Sequence, residues 1–76
     1  MEFVEIKRGF WLLNRGTRWY LHFNLPSVVS VEADNESDAL ARMVARLRHM
    51  MLDSEDRPSL RALYASAITW IENYRQ

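Results

Sequence analysis

The residues from Arg18 to Leu25 alternate without a break, Trp19, Leu21, Phe23 and Leu25 against Arg18, Tyr20, His22 and Asn24. On a helix, steps of two residues would throw these large side chains onto opposite sides. On a strand they line one face, and the polar set lines the other. A strand with one apolar face needs neighbouring strands and a cover before it is stable in water. This run therefore requires an antiparallel sheet.

The flanks supply the neighbours. Asn14-Arg15-Gly16-Thr17 reads as a hairpin turn, since Asn and Gly tolerate the positive φ that tight turns need. Upstream, Phe3, Val4, Ile6, Phe10, Trp11, Leu12 and Leu13 form a β-rich segment broken by Gly9. It fits one bent strand or two short ones. Downstream, Pro26 ends the alternation by removing a donor, and the β-branched Val28, Val29 and Val31 suggest a further strand ending before Asp34-Asn35.

From there the period changes. Asp34 or Asn35 can cap a helix, and Glu36 and Asp38 place negative charge in its first turn. With Asn35 as cap, Asp38 is at the third helical position, close to a capping box. Leu40, Met43, Val44, Leu47, Met50 and Met51 recur at helical spacing over an arc of about 120°, opposite Asp38, Arg42, Arg46 and His49. Asp38 stands four residues before Arg42, a spacing that permits an ion pair. Leu52 to Asp56 is a short acidic connection, and Pro58 suits the first turn of a second helix. There Leu60, Leu63, Tyr64, Ala67, Ile68, Trp70, Ile71 and Tyr74 cover an arc of about 160°.

Strands followed by helices predict an α+β fold, one domain over residues 1–76. The expected sheet is three-stranded, or four-stranded if Gly9 divides the first segment, with two C-terminal helices on one face. Two helices cover one side of a small sheet, so the other face is left exposed or buried by another molecule. A chain of 76 residues without cysteine cannot lean on disulfides. Pairing with a second copy would improve its surface-to-volume ratio. A homodimer is expected, with Trp70 and Tyr74 as candidate contacts. No apolar run approaches the roughly 18 residues of a membrane span, and the first residues lack the basic start of a signal peptide, so a cytoplasmic location with no membrane contact is expected.

Catalytic patterns are missing. There is no phosphate-binding glycine loop, nucleophile elbow or zinc-binding histidine pair. His22 and His49 fall in different elements, with no carboxylate read at a spacing that would orient either. The acidic groups Glu32-Asp34-Glu36-Asp38 and Asp53-Glu55-Asp56 read as helix capping and a solvated loop, without calcium-loop spacing. No enzyme, cofactor or metal is expected.

The informative surface is the polar side of the central strand. Arg18, Tyr20 and His22 share it, Lys7, Arg8 and Arg15 lie nearby, and one of Phe10 or Trp11 must point the same way because neighbours alternate faces. Lys7, Arg8, Trp11, Arg15, Arg18, Tyr20 and His22 are the candidate binding face. Arginine mixed with aromatics suits a protein interface or a single-stranded nucleic-acid platform, and it also suits simple protection of a small sheet's edges. Arg42, Arg46 and His49 form a second surface stripe. Ten basic and ten acidic residues cancel, which excludes a binder driven by bulk positive charge.

Three partial resemblances follow. Gly16, Trp19, Phe23, Leu25-Pro26, Val29, Asp34 and Ala39-Leu40 resemble the core pattern of HicB-type antitoxins, with Ser27 where a turn glycine is usual. Gly16-Thr17-Arg18-Trp19-Tyr20 with Ala39-Leu40-Ala41 resembles the arm-type DNA-binding domains of phage integrases, which would imply DNA contact through Arg15, Arg18, Tyr20 or His22. The layout of a β-meander, a helix like Ser37–Met51 and a last helix opened by Ser59-Leu60 is similar to small phage and prophage early-region proteins. That resemblance implies stoichiometric binding to a host or defence protein in a bacterial host, including inhibition of bacterial immunity. The alternative function is a small nucleic-acid-binding regulator or a HicB-like antitoxin.

Overall fold

A computed structural model describes residues 3–24 and 28–75. Four strands and two helices follow one another: β1 (Val4–Lys7), β2 (Phe10–Arg15), β3 (Arg18–Phe23), β4 (Val29–Ala33), α1 (Glu36–Asp53) and α2 (Pro58–Tyr74). The strands form one antiparallel sheet in sequence order, so the α+β expectation holds in its four-stranded form. Leu25, Pro26 and Ser27, the expected end of the alternation and part of the HicB-like pattern, lie outside the described residues.

Two glycines set the strand count. Gly9 has φ 90° and Gly16 φ 61°, values that side chains oppose. Gly9 with Arg8 forms the turn that divides the first β-rich segment into two strands. Gly16 opens a two-residue turn with Thr17 at ordinary φ, the pattern of a type II′ hairpin, whose twist matches that of the strands it joins. Such a turn makes Arg15 and Arg18 a hydrogen-bonded pair, and that fixes every later position on β3.

The chain clusters into two compact units, Met1–Met43 and Val44–Gln76. In the first, the buried side chains are Phe10, Leu21, Phe23, Val29 and Ala33 from the sheet and Ala39, Leu40 and Met43 from α1. Phe10 and Phe23 are direct cross-strand partners and stack with centroids 4.5 Å apart. Val28 is exposed and precedes β4 instead of belonging to it.

The Asn35 side chain caps α1: Asp38 N–H donates to Asn35 Oδ1 at 2.7 Å, and Asn35 Nδ2 donates to Asp38 Oδ2 at 3.1 Å. The first bond is the N-cap half of a capping box; the second joins the two side chains, in place of the bond to the Asn35 backbone N–H, and draws the Asp38 carboxylate to the helix start. Asp38 is therefore not the partner of Arg42 that the four-residue spacing suggested. Asn35→Ala is expected to cost about 1 kcal/mol, read as a lowered urea midpoint with unchanged slope.

In the second unit, Val44, Leu47, Tyr64, Ala67, Ile68 and Ile71 are buried, and Met50 and Met51 are half-buried. Arg48 Nη2 meets Glu72 Oε2 at 3.0 Å and ties α1 to α2. The connection is tight: Ser54 N–H donates to Met51 O at 3.1 Å, and Arg57 N–H donates to Ser54 O at 2.9 Å. Pro58 then enters α2 in its first turn, where its missing N–H has no helical partner to lose.

Candidate functional site

Register assigns each side chain to a face. Trp11 pairs with His22, Leu13 with Tyr20 and Arg15 with Arg18. Across the next ladder His22 pairs with Ser30 and Tyr20 with Glu32. Across the first, Glu5 pairs with Trp11. Direct partners share a face. Glu5, Trp11, His22 and Ser30 therefore form one row across all four strands, Leu13, Tyr20 and Glu32 a second row, and Arg15 and Arg18 a third. The opposite face carries the buried Phe10, Leu21, Phe23, Val29 and Ala33.

The first-named face is reachable from solvent. Trp11, Leu13, Arg18, Tyr20 and His22 are half-buried, and Glu5, Arg15, Ser30 and Glu32 are exposed. Phe3 extends it, its ring 4.4 Å from the His22 imidazole at a tilt of 42°. Rings therefore occupy the centre of this face. A depression of about 230 Å³ opens beside them, lined by Tyr20, Ser30, Val31 and Glu32.

Part of the charge on this face is paired locally. Arg15 and Arg18 stand directly opposite each other, a like-charge pairing that a sheet disfavours. Arg18 turns away from it: Nη2 lies 3.2 Å from Glu32 Oε2, and Nη1 donates to Asp34 Oδ1. Hydrogen bonds to Glu32 first and Asp34 second raise the guanidinium pKa above its ordinary value. Arg15 makes no ion pair among the described residues, and Glu5 accepts a long hydrogen bond of 3.4 Å from the Gly9 N–H.

Of the seven residues expected on the binding face, Trp11, Arg15, Arg18, Tyr20 and His22 are brought together. Arg8 lies in the Gly9 turn, exposed. Lys7 is a correction. The register shifts between Glu5 and Lys7, and the extra residue sets Lys7 opposite Phe10, a member of the other face. Between Phe10 and Trp11, it is Trp11 that faces outward. Phe3, Glu5, Leu13, Ser30, Glu32 and Asp34 join the face beyond the residues the sequence points to. Extending the alternation of β3 into its neighbours would have found Leu13 and Glu32, whereas placing Phe3 needed the register.

The residues of the second stripe, Arg42, Arg46 and His49, are all exposed. Arg42 Nη1 also donates to the Glu32 carbonyl at 2.8 Å, which links it to β4. The reading that no carboxylate stands at a useful spacing from either histidine is corrected for His49: Asp53, four residues on, places Oδ2 4.0 Å from His49 Nε2. That distance exceeds a hydrogen bond, and both side chains are well exposed. Trp70 and Tyr74 stack on the last turns of α2, centroids 5.1 Å apart and nearly parallel, with Tyr74 exposed. Among the described residues no three His, Asp or Glu side chains converge as a metal site, and no helix is long and apolar enough to cross a membrane.

No family model matches this chain, and no curated protein or solved structure is significantly similar to it.

Proposed function

We propose that this is a non-enzymatic binding protein whose ring-centred sheet face docks on a protein. The observation that supports it most directly is the cluster of Phe3, Trp11, Tyr20 and His22, half-exposed beside an Arg18 that Glu32 and Asp34 hold. Interface centres are enriched in aromatic side chains and depleted of unpaired charge, with polar groups confined to the rim.

The same geometry weighs against a nucleic-acid platform. Phosphate recognition needs cations that are free to exchange counterions. Arg18 is held by two carboxylates, Glu5 and Glu32 would face the phosphates, and Arg15 at the hairpin end is left as the one unpaired arginine in these rows. The resemblance to phage early-region proteins supplies the partner class: a host or defence protein in the bacterial cytoplasm, inhibited by stoichiometric masking.

The test uses the tagged native chain. Capture from a nuclease-treated bacterial lysate is expected to yield one protein at near-equimolar recovery, retained at roughly 300 mM salt. Fluorescence anisotropy with mixed single-stranded DNA and RNA is expected to stay flat even at about 50 mM salt. Binding of either nucleic acid that collapses as salt rises would replace this reading with the regulator alternative.

A further inference from the structure

The edge of β4 carries a second kind of surface, distinct from the rings. The type II′ hairpin makes Arg15 and Arg18 a hydrogen-bonded pair, so Arg18, Tyr20 and His22 turn their backbone groups towards β2. The Asn24 N–H bond to Gly9 O at 3.0 Å continues that series. By alternation Trp19, Leu21 and Phe23 turn theirs towards β4, where they bond Ala33, Val31 and Val29. The N–H and C=O groups of Ser30 and Glu32 consequently point away from the sheet, along its free edge. The Arg42 bond to the Glu32 carbonyl agrees with this and covers one of those four groups.

The two edges differ. β1 is four residues long and its register slips between Glu5 and Lys7, a bulge that spoils it as a template. β4 is five residues long, keeps regular register with β3 throughout and contains no proline.

We infer that β4 pairs antiparallel with β4 of a second copy, about a two-fold axis at Val31, joining two sheets into one. This register is self-complementary. It sets Ser30 of each copy opposite Glu32 of the other, so outward groups meet outward groups with two hydrogen bonds at each pair. It uses all five residues of the strand. An axis at Glu32 would place carboxylate against carboxylate. An axis at Ser30 would pair Glu32 with Val28, outside the strand. With the axis at Val31 each Glu32 side chain meets a serine and keeps Arg18 as its counter-charge, while the depression beside Tyr20 and Ser30 receives side chains from the second copy. Arg42 competes for the Glu32 carbonyl and tempers the association.

Three variants and one exchange measurement test this, with light scattering from about 10 µM to about 1 mM chain. The wild type is expected to pass from monomer to dimer across that range. Ser30→Pro removes an outward N–H and no bond to β3, a substitution that edge strands accept, and is expected to weaken dimerisation at least tenfold with an unchanged circular dichroism spectrum. Arg42→Ala is expected to strengthen it several-fold. Because the chain has no cysteine, Val31→Cys is expected to give a disulfide-linked dimer on mild oxidation, whereas Ser30→Cys is not. Amide exchange of the unmodified chain gives the answer even if Ser30→Pro fails to fold, since the Ser30 and Glu32 amides should gain protection as concentration rises. A monomer at the highest concentration, a dimer that survives Ser30→Pro, or Val31→Cys that stays monomeric overturns the inference. The first of these leaves the edge to a strand of a foreign protein, and the second moves the seam elsewhere, Trp70 and Tyr74 being the nearest alternative. Capture of a partner by the ring face is read separately and does not depend on any of these outcomes.

Discussion

Phe23→Ala is expected to lower the free energy of unfolding by about 3–5 kcal/mol, a large share of what a chain of this size has. Phe23 is 2% exposed and stacks on Phe10, itself 1% exposed, so truncation removes the ring's transfer energy and leaves a void its neighbours cannot easily close. A domain of this size has a total stability of roughly 4–11 kcal/mol by per-residue scaling. Urea unfolding followed by tryptophan fluorescence should show the midpoint falling by about a quarter or more at unchanged slope. Val4→Ala, at a position 63% exposed, serves as the control and should move it hardly at all. Equal effects at both sites would mean that the Phe10–Phe23 stack is not the centre of the sheet's buried face.

Trp11→Ala is expected to show the opposite division. Trp11 is half-buried in the row with Glu5, His22 and Ser30, so its loss should cost about 1 kcal/mol of stability, the worth of cross-strand contacts on an open face. Its expected effect on partner binding is larger: truncation of a central aromatic anchor typically costs 2 kcal/mol or more, about a 30-fold loss of affinity. The measurement is titration of the captured partner against wild type and Trp11→Ala, with Arg15→Ala at the rim alongside. A loss confined to Trp11 locates the interface centre on the rings. A loss confined to Arg15, steep in salt, would locate it at the hairpin's charge instead.

Local pattern carried the fold a long way because its signals are short-ranged. The alternation of β3, the glycine turns, the Asn35 cap and Pro58 each act over a few residues, and the elements end close to where those residues stand. What needed coordinates was register. The shift between Glu5 and Lys7 moved a basic residue off the candidate face, and no alternation pattern shows an extra residue opposite Phe10. Arg42 is a similar case. Its helical spacing pointed to Asp38, but the reciprocal bonds between Asn35 and Asp38 took the carboxylate, and Arg42, still exposed, reaches the Glu32 carbonyl instead. Arg18 looked like a phosphate ligand in sequence because Glu32 and Asp34 are distant along the chain and adjacent only across the ladder. Charge pairing over such separations is what a linear reading misses, and here it weighs against the nucleic-acid alternative and for the protein partner that the sequence already favoured.

The strand order β1-β2-β3-β4 also bears on time, since each strand pairs with a sequence neighbour and closes only a short loop to do so. Loop-closure entropy is small for such pairings, and proteins dominated by local contacts fold fastest. A chain near the stability floor opens often. A sheet that rezips quickly limits how long the edge of β4 and the rings of Trp11 and Tyr20 stay bare to proteases and to wrong partners. Its lifetime in a cell then rests on its refolding rate as much as on the depth of its free-energy well.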